Sequence, residues 1–313
     1  MKTITLAVLG AGTMGKGIAE LALLSSWNVI LYDISEELLE QAVAAIIEKV
    51  RASGCEEQLA GSNNSPVETR IKGVTLLSAA VESADLVIEC LPELLELKQD
   101  VFKKLDKLCL PDVILATNTS GLSPTAIAQD LKHPERVVVA HFWNPPQLIP
   151  LVEVVPGEKT SQDTVERTME WVRVLGKQPV RMKKECPGFI GNRLQLALLR
   201  EALNIVEQGY ADVEEVDKTM EFGHGRRLPV TGPFCSADMG GLDIFCNISS
   251  YLIPDLCNDT TPAELLQRLV AEGNLGLKTG KGFYDWTAEM KAKKIRDRNE
   301  TLIDFLEKDK NRE

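Results

Sequence analysis

The stretch AVLGAGTMGKGIAELALLSSWNVILYD, residues 7–33, decides the fold of the N-terminal part of this chain. Its apolar start leads into the turn GAGTMG at residues 10–15, after which apolar residues recur at helical spacing. A second apolar run, residues 29–32, ends in Asp33. The order of these features predicts a strand, a tight turn, a helix, a second strand and a terminal acid.

This unit has the chemistry of a dinucleotide site. Gly10 permits the tight turn, Gly12 lets the backbone approach a pyrophosphate, and Gly15 allows the helix to pack closely on the strand. The phosphates would lie at the helix N-terminus, and the carboxylate after the second strand would bind a ribose. Because that carboxylate would repel a 2′-phosphate, the sequence favours NAD over NADP. The contacts predicted for this unit are Gly10, Gly12, Thr13, Met14, Gly15 and Asp33.

The composition is that of an ordinary globular protein and excludes several function classes. The 313 residues are 26% charged and 44% hydrophobic, and the net charge of −11 argues against a nucleic-acid partner. No apolar stretch approaches the length of a transmembrane helix, so we expect no membrane association and a cytoplasmic location. The seven cysteines lack CxxC or His-rich spacing, which predicts reduced, mostly buried thiols and no metal site.

Three further apolar runs, at residues 85–91, 113–117 and 137–142, are predicted to be buried strands separated by helical or turn-rich sequence. Ser35 is placed to cap a helix that continues to about residue 51. Strands that alternate with helices indicate an α/β fold with a parallel, doubly wound sheet of the Rossmann type.

The character of the sequence changes near residue 184. A short apolar and basic stretch gives way to Pro187-Gly188, and helical patterns dominate after it. We therefore expect an NAD-binding Rossmann domain over residues 1–184 and a smaller, all-helical domain over residues 185–313.

Polar side chains are expected at the carboxyl edge of the sheet, where ligands of doubly wound folds bind. Glu93 follows one predicted strand, Asn118 follows another, and His141 lies at the end of a third. The chain after His141 turns through Pro145-Pro146 and can bring Glu153 back beside it. A carboxylate on one ring nitrogen would fix the tautomer of a general base and stabilise its cation. The pattern alone leaves a catalytic and a structural histidine equally open.

Several motifs in order make the chain resemble the L-3-hydroxyacyl-CoA dehydrogenases and their 3-hydroxy-acid relatives. Besides GAGTMG with Asp33, they are ATNTSGLS at 116–123, HFWNPP and LVEVV at 141–155, PGFIGNR at 187–193 and GLKTGKGFYDW at 276–286. The resemblance implies NAD-dependent hydride transfer between an L-3-hydroxyacyl-CoA and the 3-oxoacyl-CoA, a reaction of fatty acid metabolism. It also implies that the helical second domain forms a homodimer.

Carried over to the matching positions, the resemblance makes His141 the base that removes the 3-hydroxyl proton, with Glu153 orienting it. Ser120 and Asn192 would hydrogen-bond the hydroxyl or the developing carbonyl oxygen. The implied cofactor contacts on these motifs are Glu93, Lys98, Asn118, Ser120, Asn144 and Lys278, and residues 200–207 are implied to lie near the partner chain.

Two departures from the acyl-CoA pattern bear on the substrate. The helix after the second strand offers Lys49 but then Cys55-Glu56-Glu57, and an acidic pair suits CoA phosphates poorly. The predicted loop at residues 223–233 carries Arg226 and Arg227 and looks like loops in gulonate or carnitine dehydrogenases, where an arginine can bind a free carboxylate. The thioester is the leading expectation, a free 3-hydroxy acid is the alternative, and plain surface charge is the other interpretation of the arginines.

Two other function classes share parts of this pattern. The 6-phosphogluconate-type 3-hydroxyacid dehydrogenases have a similar glycine turn, but they depend on a lysine in a glycine-rich helix, and residues 188–192 contain none. A non-catalytic NAD-binding sensor or structural protein would share the fold. The combination of Ser120, His141, Glu153 and Asn192 argues against it, because a binding module needs no base with an orienting acid.

Overall fold

The computed structural model describes residues 3–54 and 65–310. Eight strands form a single sheet, which confirms the predicted doubly wound α/β class. The strands are β1 (Thr5–Leu9), β2 (Asn28–Tyr32), β3 (Ile71–Val74), β4 (Leu86–Glu89), β5 (Ile114–Thr117), β6 (Val137–Phe142), β7 (Leu151–Pro156) and β8 (Gln178–Arg181).

Helices connect the strands, and helices make up most of the chain after β8. The helices among the strands are α1 (Thr13–Leu24), α2 (Glu36–Ala52), α3 (Val67–Arg70), α4 (Leu77–Val81), α5 (Leu95–Leu108), α6 (Pro124–Ile127) and α7 (Gln162–Val174). Those that follow are α8 (Gly191–Glu207), α9 (Val213–Phe222), α10 (Leu228–Gly240), α11 (Leu242–Leu252), α12 (Glu264–Ala271) and α13 (Ala288–Lys310). The predicted cap of α2 is present, since the Ser35 hydroxyl accepts from the Leu38 N–H at 3.2 Å.

The strand order is β3-β2-β1-β4-β5-β6-β7-β8, and the first six strands pair in parallel in the order typical of dinucleotide-binding sheets. Every residue of β4, β5 and β6 is buried, as expected for parallel strands covered by helices on both faces. β7 then runs antiparallel to β6, and β8 runs parallel to β7. The carboxyl ends of β1, β4, β5 and β6 therefore share one edge.

Three strands, β3, β7 and β8, were not predicted from the sequence. β3 and β8 are four-residue edge strands that are partly exposed. Each contains a residue that is unfavourable in strands, Gly73 in β3 and Pro179 in β8. Such short segments carry too little periodicity to be recognised. β7 is the returning segment after Pro145-Pro146, and its antiparallel pairing depends on a partner that local sequence does not specify.

The chain divides into two compact units, Met1–Asn192 with Asn299–Glu313, and Arg193–Arg298. The second unit is helical apart from isolated bridges around Lys281. The proposed domain boundary at residue 184 stays a prediction.

The predicted loop at residues 223–233 is wrong. A 3-10 turn covers His224–Arg226, and α10 begins at Leu228. Gly232, with φ of +58°, interrupts α10 only by a kink. Gly232 and Pro233, which suggested a loop, therefore lie at a bend in a helix.

The prediction of mostly buried cysteines is also partly wrong. Cys109 is buried and three others are half-buried, but Cys235 on α10 and Cys246 on α11 are exposed. Both lie on a unit that leaves many side chains accessible in the single chain.

Residues 3–54 and 65–310 contain neither a membrane-spanning helix nor a cluster of metal ligands. No helix in this part of the chain is both long and apolar enough to cross a membrane. The same residues contain no group of three His, Cys, Asp or Glu side chains placed to hold a metal ion. The cytoplasmic location stays a prediction.

Candidate active site

The glycine turn between β1 and α1 leaves room for a ligand at a helix N-terminus. Gly10 has φ of +105°, and its N–H donates to the Tyr32 carbonyl at 2.7 Å. A Cβ on Gly15 would overlap the Gly10 carbonyl oxygen, so only glycine allows α1 to pack this closely on the turn. A Cβ on Gly12 would meet no atom within 4 Å, which shows open space beside the first N–H groups of α1.

Asp33 follows β2 directly, at the position predicted for the ribose-binding acid. Its carboxylate accepts hydrogen bonds from the Ala11 N–H at 2.9 Å and the Ser35 N–H at 3.2 Å. Thr13 and Met14 begin α1, the first exposed and the second half-buried. Helix N–H donors beside open space, with a carboxylate at the rim, are the groups that an NAD molecule requires, so the residues present fit this cofactor.

A buried ion pair lies at the carboxyl end of β4. Glu89 ends this strand with 0% of its side chain exposed, and Lys98 of α5, 1% exposed, pairs with it at 2.7 Å. The Thr117 hydroxyl and the Leu91 N–H also donate to the Glu89 carboxylate, each at 2.6 Å. Two charges removed from water need such a complete set of partners. Lys98 therefore has a structural partner, and its contact with the cofactor stays a prediction.

Glu93 connects this ion pair to Ser120. Its carboxylate lies 3.4 Å from Lys98 Nζ and accepts from the Thr119 hydroxyl at 2.5 Å and the Ser120 N–H at 2.9 Å. Burial alone would raise the pKa of Glu93, but these partners and the Ser120 hydroxyl together hold it below its usual value. The Asn192 side-chain amide donates to the Ser120 carbonyl at 2.8 Å, so the two residues predicted to bind the substrate oxygen are in contact.

His141 and Glu153 face each other across the antiparallel pair of β6 and β7. The Nδ1 atom of His141 lies 2.9 Å from Oε2 of Glu153, and only 8% and 1% of the two side chains are exposed. Because a carboxylate accepts hydrogen bonds and does not donate them, Nδ1 is assigned the hydrogen, and Nε2 is left to take up a proton. The structure thus brings His141 and Glu153 into the predicted contact, and their roles as base and orienting acid stay a prediction.

Four groups donate to the Glu153 carboxylate. Oε2 accepts from His141 and from the indole N–H of Trp143 at 3.2 Å. Oε1 accepts from the backbone N–H groups of Ile190 at 2.9 Å and Gly191 at 3.0 Å. Burial alone would raise the pKa of Glu153, but the hydrogen bonds from His141, Gly191 and Trp143 hold it below its usual value. The carboxylate is therefore charged at neutral pH.

Three further predicted cofactor contacts are Asn118, Asn144 and Lys278. Asn118 follows β5, and its Oδ1 accepts from the Phe142 N–H at 2.8 Å, which ties the ends of β5 and β6 together. Asn144 is exposed two residues after β6. Lys278 is exposed on the second unit, and its contact with the cofactor stays a prediction.

Glu89, Thr117 and Trp143 were given no role from the sequence, whereas Thr119 was expected as one of the polar residues that follow a predicted strand. Glu89 had a usable signal, because a carboxylate inside the buried run Leu86–Glu89 must find partners. Thr117 and Trp143 had none, since their contacts depend on which strand ends meet.

Comparison with known proteins identifies relatives that match most of the chain. The family model described as 3-hydroxyacyl-CoA dehydrogenase, NAD binding domain, matches residues 5–186, and the C-terminal domain model matches residues 188–286. The 5-formyl-3-hydroxy-2-methylpyridine 4-carboxylate 5-dehydrogenase of Mesorhizobium japonicum is 37% identical over 91% of each chain. The 3-hydroxybutyryl-CoA dehydrogenase of Clostridioides difficile is 35% identical over 90% of this chain and 99% of its own.

Solved structures show the same two kinds of relative. A structure of the 5-formyl-3-hydroxy-2-methylpyridine 4-carboxylic acid 5-dehydrogenase, described as an NAD⁺-dependent dismutase, gives a TM-score of 0.89 at 34% identity and covers 98% of this chain and 99% of its own. The (S)-3-hydroxybutyryl-CoA dehydrogenase of Ralstonia eutropha gives 0.74 at 33% identity, covering 91% and 100%.

Proposed function

Because the chain belongs to the 3-hydroxyacyl-CoA dehydrogenase family, whose members are NAD-dependent dehydrogenases acting on CH–OH groups, we propose that it oxidises an L-3-hydroxyl group to a ketone with His141 as the base. The observation that carries this proposal is the 2.9 Å hydrogen bond between His141 and Glu153. A buried imidazole held by a buried carboxylate, with its second nitrogen unused, is built to accept a proton. A protein that only binds NAD would not need it.

Each residue of the site has its own role in the proposed reaction. NAD, when bound, supplies the acceptor for the hydride that leaves the hydroxyl-bearing carbon. Nε2 of His141 removes the hydroxyl proton, and the charged Glu153 stabilises the resulting imidazolium. The Ser120 hydroxyl, which can rotate, and the second N–H of the Asn192 amide would donate to the oxygen as it becomes a carbonyl.

The proposed cofactor site follows the edge of the sheet. The N–H groups at the start of α1 would hold the pyrophosphate, and Asp33 would bind the adenosine ribose. The remaining contacts continue along the strand ends, and the resemblance to the family adds Lys278. The complete proposed set is Gly10, Gly12, Thr13, Met14, Gly15, Asp33, Glu93, Lys98, Asn118, Ser120, Asn144 and Lys278.

The first candidate substrate is an acyl-CoA thioester. It is supported by the family description and by the hydroxybutyryl-CoA dehydrogenases among the relatives. Lys49 on α2 is largely exposed, so its ammonium group can reach a phosphate, although it also lies 3.6 Å from the Glu20 carboxylate. Cys55-Glu56-Glu57, the acidic departure, lies outside the described residues. A role in fatty acid metabolism follows only if this candidate is right.

The second candidate substrate is a free carboxylic acid that carries the reacting group. The relative with the TM-score of 0.89 is named for a pyridine carboxylate and covers almost this entire chain. The guanidinium of Arg226 lies 5.5 Å from the centre of the Phe222 ring, and Arg227 is exposed beside it. An arginine can hold a carboxylate through two parallel hydrogen bonds.

A single assay separates the two candidates. NADH oxidation is followed by absorbance with acetoacetyl-CoA, with acetoacetate, and with a pyridine carboxylate aldehyde at equal concentrations. NADH oxidation with the thioester alone supports the first candidate, whereas NADH oxidation with the free acids alone supports the second. In the second case we expect the double variant Arg226→Ala, Arg227→Ala to raise KM for the acid and to leave KM for NADH unchanged. No NADH oxidation with any of the three carbonyl compounds would contradict the proposed function.

We also propose that the second unit forms a homodimer. Large apolar side chains on α8, α10 and α11 are exposed in the single chain, and soluble monomers rarely expose so many together. Most homodimers bury such a patch against its own copy. The exposed residues on these helices include Leu194, Leu196, Leu198, Phe234, Met239, Leu242, Ile244 and Phe245, and residues 200–207 continue the face of α8.

A further inference from the structure

One carboxylate oxygen serves two donors beside the proposed base. Oε2 of Glu153 accepts the Nδ1–H of His141 at 2.9 Å and the indole N–H of Trp143 at 3.2 Å. The rings of His141 and Trp143 are also in contact, with centroids 5.5 Å apart. The indole therefore competes with the imidazole for the same negative charge.

The Trp143 indole is held in this position by its surroundings. A Cβ on Gly191 would overlap the Trp143 ring, so the indole packs directly on the backbone of residue 191. The N–H of the same Gly191 donates to Oε1 of Glu153. Phe189, which is buried and has φ of +52°, packs on His141 with ring centroids 5.7 Å apart. A left-handed φ at a phenylalanine persists only where the surroundings enforce it, which indicates a tightly determined arrangement.

We propose that Trp143 is a positioning residue that sets the proton affinity of His141 by sharing Oε2 of Glu153 with it. The inference rests on the proposed role of His141 as the base. A hydrogen bond to a carboxylate spreads its negative charge and reduces its attraction for a neighbouring cation. The indole thus weakens the hold of Glu153 on the imidazolium and keeps more of the imidazole neutral and able to accept a proton.

The charged groups around the pair come from neighbouring elements. Glu153 on β7 is the carboxylate that His141 contacts. At the carboxyl end of β4, Lys98 pairs with Glu89 at 2.7 Å and lies 3.4 Å from Glu93, which also binds Ser120. Replacing Trp143 by phenylalanine removes the indole N–H and changes none of these charges, so a change in titration reports on the shared oxygen.

The test compares wild type with Trp143→Phe, which keeps an aromatic ring and loses the donor. In the ligand-free protein, the imidazole signals of the three histidines are followed by NMR against pH, and that of His141 is assigned by its loss in His141→Gln. We expect the protonation midpoint of His141 to rise by about half to one pH unit in Trp143→Phe. The acid limb of kcat/KM for alcohol oxidation should move up by the same amount, because the base must be neutral.

The matched control is Trp171→Phe. Trp171 on α7 is buried in the same unit, and its indole nitrogen has no hydrogen-bond partner among the described residues. This variant makes the same chemical change away from the site, so the midpoint of His141 should stay at the wild-type value. An unchanged midpoint in folded Trp143→Phe, or an equal shift in Trp171→Phe, would overturn the proposal.

A second measurement covers the case in which Trp143→Phe does not fold. In wild-type protein labelled with ¹⁵N, the indole N–H signal of Trp143 should change with pH at the midpoint of the His141 ring. An indole signal that stays constant through that titration would also refute the shared oxygen. The NMR titrations need no substrate, so a chain that oxidises no hydroxy compound would contradict the proposed function and leave this inference standing.

Discussion

His141 is the residue on which the proposed chemistry depends. Its environment combines burial, a charged acceptor on Nδ1 and aromatic contacts with Trp143 and Phe189. None of these three contacts is made by Nε2. Glu153, Trp143 and Phe189 together therefore fix the direction in which Nε2 of His141 points. This is how a proton acceptor is prepared before the substrate arrives.

Replacing His141 by glutamine tests its role directly. The change removes the base but leaves the glycine turn and Asp33, which lie on other strands, so we expect turnover to fall by ~10²–10⁴ while NAD affinity stays nearly unchanged. Steady-state kinetics and NADH fluorescence titration measure the two quantities. His133→Gln is the control, because His133 is exposed and pairs with Glu135 at 3.2 Å outside the site. Wild-type turnover in His141→Gln would remove it from the mechanism.

At the scale of elements, the turn between β1 and α1 shows how one motif uses glycine for different reasons. Gly15 is required because helix and turn touch there, whereas no atom of residues 3–54 or 65–310 fills the space beside Gly12. The requirement at Gly15 concerns folding, and the one we propose at Gly12 concerns a ligand. The two can be separated by substitution.

Alanine at each position should give opposite results. Gly12→Ala has an allowed backbone conformation, with φ of −73°, and space for the methyl group, so we expect a normal melting temperature and NADH binding at least tenfold weaker. Gly15→Ala forces the Cβ into the Gly10 carbonyl and should destabilise the fold by about 1–3 kcal/mol or more. Thermal melts and NADH titrations distinguish the variants. Full NADH affinity in Gly12→Ala would show that the pyrophosphate does not approach this residue.

At the scale of the whole molecule, the exposed apolar side chains of the second unit require an explanation. A homodimer buries them, and wild-type protein should show twice the mass of one chain in light scattering at micromolar concentration. Phe234 is 87% exposed, so Phe234→Glu should leave the chain folded and weaken the dimer.

Leu110→Glu is the control for this experiment. Leu110 is 68% exposed on the first unit, so the variant introduces the same charge on an apolar side chain elsewhere. Its mass should equal that of wild type. A wild-type chain that stays monomeric under these conditions would contradict the proposed homodimer.

The sequence by itself determined the fold class, the NAD turn and most of the candidate residues. Gly10, Gly12, Gly15 and Asp33 were recognisable because their functions depend on spacing within one short unit. Buried strands such as β6 were recognisable because continuous apolar runs are a local property.

The tertiary structure alone decided how separate segments meet. The antiparallel return of β7 places Glu153 opposite His141, and the backbone of residues 190–191 adds two donors to that carboxylate. The ion pair of Glu89 with Lys98 likewise joins β4 to α5. The sharing of Glu153 Oε2 by Trp143 and His141 depends on the return of β7. Pairing register and helix packing are set by the free energy of the whole core, so no local pattern in the sequence contains them.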